Sequence, residues 1–176
     1  MGRARVVDPE SERPPEIAGL PLLDRVAAAP PASLGGAGAA TSAPAADEPL
    51  PELRLPFERR SRSRLRARLS DGREVALVLP RGTVLRDGAL VDGSGLRVRV
   101  RAADEDVIEV RAADAQALAR AAYHLGNRHV PVQVSADCLV FGYDPVLVDM
   151  LVRMGLQTRR TWAPFEPEGG AYGEHH

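Results

Sequence analysis

From Arg62 to Leu69 polar and apolar positions alternate. Arg62, Arg64, Arg66 and Arg68 fall on one side, and Ser63, Leu65, Ala67 and Leu69 on the other. A two-residue period puts successive side chains on opposite faces of a pleated chain, so this segment predicts a half-buried strand. Asp71-Gly72 offers the pair that a two-residue hairpin turn with positive φ needs, and Val75 to Leu79 returns as the partner strand. Pro80-Arg81-Gly82 and Arg86-Asp87-Gly88 read as further turns, and Leu96 to Val100 as another alternating strand. Residues 53 to 102 therefore read as a small all-β unit, which the apolar patch Leu20 to Val26 extends by an early strand, giving a domain over 20–102.

Beyond residue 103 the period changes along the chain. Val107 to Val110 is a strand, Asp114 a helix N-cap, and Leu118, Ala122 and Leu125 recur at helical spacing up to Gly126, where that helix is expected to stop. Val130 to Val134 and Cys138 to Phe141 are short strands. Asp144-Pro145 is a cap followed by proline at the first helical position, and Leu147, Met150, Leu151 and Met154 form the stripe of a second helix that Gly155 ends. Leu156 to Trp162 is the last strand. Residues 103–163 thus follow the order βαββαβ of a ferredoxin-like fold, and the whole chain reads as α+β.

The remaining segments lack such periods. Residues 1–50 hold eight of the fifteen prolines together with Ala- and Gly-rich runs, too little apolar surface to offset the entropy of ordering. A flexible extension over 1–19, a disordered insertion near 28–50 and a flexible tail over 164–176 are expected.

Composition narrows the function. The net charge of -1 gives no overall field toward nucleic acid or membrane, so any basic partner site must be local. All 23 basic residues are arginine, a compositional bias that weakens arginine clusters as evidence. The run Glu58 to Arg66 is read as a solvated strand face. With only seven aromatic residues (three Phe, one Trp, three Tyr) the sheet lacks the stacking platform of RNA-recognition domains, which argues against a nucleic-acid partner. The single Cys138 excludes an internal disulfide and fits a core position. No stretch approaches the roughly 18 apolar residues of a membrane span, no signal peptide is legible, and a cytoplasmic location is expected. Asp137, Asp144 and Glu109 show no catalytic spacing, so no enzyme is expected.

The four histidines, His124, His129, His175 and His176, all lie in the last third of the chain. His129 stands between helix and strand: Gly126 frees the backbone to leave the helix, Asn127 tolerates a left-handed turn, and Pro131 fixes the chain just beyond. An imidazole so placed is preoriented and reachable, which points to metal handling. His124, in the last helical turn, fits either a structural role at the dipole's negative end or a metal role. No paired cysteines support a closed zinc site. One imidazole cannot complete a coordination sphere, so a site at His129 needs a second subunit beside a twofold axis, or the terminal pair His175 and His176. The resulting nitrogen-rich sphere suits nickel, copper or zinc, and ligand exchange in it suits a carrier. Since only neutral imidazole binds, affinity is expected to fall below about pH 6.5, the free histidine pKa, and an isotherm unchanged between about pH 5 and 8 would contradict that.

The string Tyr123-His124-Leu125-Gly126-Asn127-Arg128-His129-Val130-Pro131-Val132-Gln133 resembles the UreE family, nickel-carrying accessory proteins of urease maturation. The resemblance extends back through Asp71-Gly72-Arg73 and Leu79-Pro80-Arg81-Gly82. Forward, it takes in Asp149-Met150-Leu151, Gly155-Leu156 and the segment Pro164 to Tyr172, covering roughly residues 52 to 173. It implies a β-rich domain of peptide-binding type, a ferredoxin-like metal domain, and a homodimer with Ni2+ on its twofold axis. The histidine of the family's Gly-Asn-Arg-His motif is its central nickel ligand, and here that position is His129. The implied partners are a GTPase urease accessory protein and the urease apoprotein. Tyr143 and Pro145 stand where some members carry extra histidines, so that accessory site is absent, and the tail's two histidines argue against bulk storage. The competing reading is an interaction module of a maturation complex that carries no metal.

Overall fold

In a computed structural model of the chain, residues 19–28 and 50–169 are described. Most of the expected extension and insertion, and the terminal His175 and His176, lie outside these residues.

The first unit contains β1 (Leu22–Leu23), β2 (Arg25–Ala28), β3 (Glu52–Leu55), the one-turn helix α1 (Phe57–Arg60), β4 (Arg64–Arg68), β5 (Glu74–Val78), β6 (Leu90–Gly93) and β7 (Leu96–Ala102). They form two sheets, β1-β5-β4 and β2-β6-β7-β3. Leu23, Leu53, Val75, Leu77, Val91, Val98 and Val100 are fully buried in one core, which removal of apolar surface from water stabilises. The alternation along β4 holds: Arg64, Arg66 and Arg68 are exposed while Ala67 and the following Leu69 are buried. The turn after it differs from the expected two-residue type. Leu69 N donates to Arg73 O and Gly72 N to Leu69 O, so three residues close the hairpin, and only Gly72 takes a positive φ, of 87°.

A larger correction concerns the arginine run. Glu58, Arg59 and Arg60 belong to α1, not to a strand, and Arg60 is completely buried. Its Nε donates to Leu55 O at 3.1 Å, Nη1 to Leu85 O at 3.0 Å and to the Glu166 carboxylate, and Nη2 to Phe165 O at 2.5 Å. A buried charge is tolerable only when paired and saturated with acceptors, and here both conditions are met.

The second unit comprises β8 (Asp104–Arg111), α2 (Ala115–Gly126), β9 (Val132–Val134), β10 (Leu139–Gly142), α3 (Pro145–Arg153) and β11 (Gln157–Pro164). Its sheet has the order β11-β8-β10-β9, with every pair antiparallel. Taken in chain order within the unit this is fourth, first, third, second, the ferredoxin-like arrangement expected. Ile108, Val110, Leu139 and Phe141 pack against Ala121, Leu125, Leu147 and Leu151 of the two helices. The opposite face supplies Val107 and Val140, which are covered by Phe165 and by Phe57 of α1.

The tail begins later than expected. β11 runs through Pro164, and the next four residues are held: Glu166 N donates to Gln133 Oε1 and Glu168 N to Val132 O. The two units also differ in charge. Residues 50–103 carry thirteen arginines against six carboxylates and residues 104–169 six against ten, so a net charge near zero conceals +7 beside -4. Among the described residues no helix is long and apolar enough to cross a membrane.

Candidate functional site

Asp114, in extended conformation, opens α2 and accepts from Ala117 N at 2.7 Å, as its sequence position predicts. The other end of the helix departs from expectation. Gly126 is still helical and Asn127 has φ -63° and ψ -13°, so neither takes the left-handed conformation. It falls to His129, with φ 56°. Val130 N bonds Leu125 O at 3.4 Å and His129 N bonds Gly126 O at 2.9 Å, the paired 6→1 and 5→2 bonds of a Schellman motif. Val130 packs with Leu125 in the helix-side core, the apolar contact that accompanies this cap.

A side chain at the left-handed position costs about 1–2 kcal/mol relative to glycine, less for histidine than for most residues. The conformation is held by the two cap bonds, by the Val130 contact and by Pro131, which restricts the residue before it to extended backbone. An exposed imidazole therefore leaves the domain at a fixed point.

His129 lines a shallow cleft of about 530 Å³ with Asp106, Pro131, Tyr143, Asp144 and Phe165 among the other walls. These residues come from one end of the sheet: the start of β8, the approach to β9 and the residues after β10 and β11. Arg160 makes two hydrogen bonds to Asp106, at 2.8 and 2.5 Å, and its guanidinium carbon lies 3.6 Å from the Tyr143 ring centroid. The Arg160 hydrogen bonds hold the Asp106 carboxyl below the ordinary aspartate range, against a smaller opposing effect of desolvation. Asp144 Oδ1 accepts from Val146 N and Leu147 N and so caps α3.

The structure brings His129 to the cleft but not His124. The latter is half-buried, packs edge-on against Tyr123 at 5.5 Å, and its carbonyl accepts from Arg128. Among the described residues no three His, Cys, Asp or Glu side chains converge on one point. Cys138 packs with the Val107, Val140 and Phe165 cluster, as a core residue would. Asp106, Arg160 and Phe165 were not singled out by sequence reasoning. For Asp106 and Arg160 the only sequence signal is an acid and a base on strands that become neighbours once the sheet is formed, and Phe165 entered only as part of the segment Pro164 to Tyr172.

These features define a two-unit α+β protein that presents one exposed imidazole at a cleft. The family model for the UreE urease accessory protein N-terminal domain matches residues 36–103, and that for its C-terminal domain residues 105–176. The chain belongs to the UreE urease accessory protein family. Over 127 residues, 72% of the chain, it is 61% identical to the urease accessory protein UreE of Burkholderia thailandensis and 62% identical to that of Ralstonia nicotianae. The match spans about 60% of each relative's length.

Proposed function

We propose that this protein is a nickel metallochaperone that delivers Ni2+ to the urease apoprotein during assembly of its active site. The observation that carries the reading is the left-handed cap that presents the His129 imidazole to solvent at the cleft. One imidazole is too few, so the ion is shared with His129 of a second copy across a twofold axis. Exposed apolar side chains beside the cleft support such a contact. Tyr143 lines it, Val146 follows Asp144, and Trp162, 71% exposed, is the strand partner of the cleft residue Asp106.

His175 and His176 complete the sphere from the tails, and His124, away from the cleft wall, ranks below them. Imidazole ligands suit nickel and admit zinc or copper. Transfer proceeds in the cytoplasm through a complex with a GTPase accessory protein, and the partners are proteins, with no nucleic acid or membrane.

Calorimetric nickel titration paired with light scattering tests this reading. One tight ion per dimer is expected, lost on His129→Ala while partner binding persists; unchanged nickel stoichiometry would reject it. The competing reading is an interaction module of a maturation complex without metal. That reading predicts partner capture by metal-free protein and no nickel dependence.

A further inference from the structure

Along the chain the two units are joined at Ala103 alone, the residue between β7 and β8. A single covalent junction is a hinge, and relative motion of two units is the default unless their interface is large and apolar. The structure supplies a second attachment. β11 and β9 form opposite edges of the four-stranded sheet, three strand spacings or about 14 Å apart. β11 ends at Pro164, yet Glu168 N already bonds Val132 O at 2.8 Å on β9, so residues 165–168 cross the sheet from one edge to the other. They cross on the helix-free face, where Phe165 packs with Val107 and Val140 and meets Phe57 of α1 edge-on at 5.8 Å.

The donors that hold the crossing belong largely to the first unit. Glu166 receives Arg60 Nη1, Arg86 Nη1 at 3.4 Å and Asp87 N at 3.2 Å. Arg60 also donates to Phe165 O and Arg86 to Pro167 O, each at 2.5 Å. From the second unit, Gln133 holds Glu166 N at 2.9 Å. Beside the junction, Phe57 N donates to Glu105 Oε1 at 2.7 Å. Charge-assisted bonds of this kind are shorter and stronger than neutral ones, and attachments at two separate places remove rotation about the junction.

We propose that Glu166 is a positioning residue: seated between Arg60 and Arg86, it straps the first unit across the sheet of the second, so that the β-rich unit and the His129 cleft keep one fixed mutual orientation. Phe165 is itself a wall of that cleft, so the first unit also sets one side of the place where His129 is presented. A partner that touches both units meets a surface arranged before it arrives, and no hinge has to be frozen on association. The strap needs no metal and stands apart from the nickel reading. Its weak point is charge. Arg60 is completely buried and pairs with Glu166, so removing that carboxylate strands a guanidinium in a dry seam and drives the seam to open.

Residual dipolar couplings measured on full-length, metal-free protein test this. One alignment tensor should fit the couplings of both units in the natural protein. Glu166→Gln should require separate tensors, with the order of one unit relative to the other reduced by about a third or more. The Glu168 amide should lose at least about tenfold of its protection from exchange in the same variant. Val98→Ala, in the core of the first unit and outside the strap, should lower thermal stability yet keep one tensor, which separates orientation from general weakening. If Glu166→Gln fails to fold, Arg86→Ala, which releases Pro167 O and spares the Arg60 contacts, is expected to move both readouts in the same direction by less. Two tensors in the natural protein, or one shared tensor in whichever strap variant folds, overturns the proposal. A split tensor in Val98→Ala does so as well, since Glu166 would then be an ordinary stabilising contact.

Discussion

The two helices of the second unit end in the same way with different residues. α3 closes with Gly155 N on Val152 O and Leu156 N on Leu151 O, and Gly155 takes a φ of 82°. α2 closes with the matching pair of bonds, but the left-handed place belongs to His129. Leu156 and Val130 make the accompanying apolar contacts in one core. Where only folding matters, the position holds the residue without a Cβ. Where it holds an imidazole, the same backbone is kept against a steric cost, and strain retained at one of two equivalent sites points to a use for the side chain.

Substitutions at the two caps can break or sharpen this contrast. The largest effect is expected from His129→Asn. Asparagine accepts the left-handed conformation, so thermal stability should change by less than about 0.5 kcal/mol. Nickel affinity should fall by at least about 100-fold, or roughly 2.7 kcal/mol. A weak binder of unchanged stability separates ligand from cap, whereas retained affinity would show the imidazole to be dispensable.

Gly155→His should cost about 1–2 kcal/mol in chemical denaturation. No heavy atom lies within 4 Å of the Cβ it would add, so the cost is conformational and not a clash. It should add no nickel binding, because Gly155 precedes the strand end where Gln157 pairs with Arg111, the far end of the sheet from Asp106. His129→Gly should raise stability by about 0.5–1 kcal/mol, since relief of left-handed strain outweighs the added freedom of the unfolded chain. A loss there would mean that the imidazole contributes to the cap.

The smallest effect concerns acid. With the folded Asp106 carboxyl held below its unfolded value by Arg160, the pair's contribution is fully present above the unfolded aspartate pKa, near 3.9. It is lost as pH falls through the folded value. Arg160→Met should flatten the pH dependence of stability in that acidic window alone, as followed by thermal melts. The Arg111 and Asp137 pair at the other end of the sheet is the control, since it does not frame the cleft.

Local signals carried the sequence reading far. The Asp114 and Asp144 caps, the β4 alternation and the order of elements are set by neighbours a few residues apart, and each stands where expected. His129 was legible as a residue on a stiff turn. Its conformation was not, because α2 extends through Gly126 once Val130 can bury itself against Leu125, a tertiary gain that outweighs glycine's tendency to stop a helix. Arg60 and the crossing at Phe165 to Glu168 were hidden for a related reason. Their partners lie about a hundred positions away, and an arginine within an arginine run carries no mark of burial.

The absence of lysine from this chain reads as bias in its composition, and on the outer faces of the sheets one cation could replace another with little effect. Position 60 is different. Three guanidinium nitrogens in one plane serve carbonyls from three segments and a carboxylate, which a single ammonium nitrogen with three hydrogens cannot do. A charge-conserving exchange that passes unnoticed at Arg64 would, at Arg60, strand acceptors in a dry seam and loosen the joint between the two halves of the molecule.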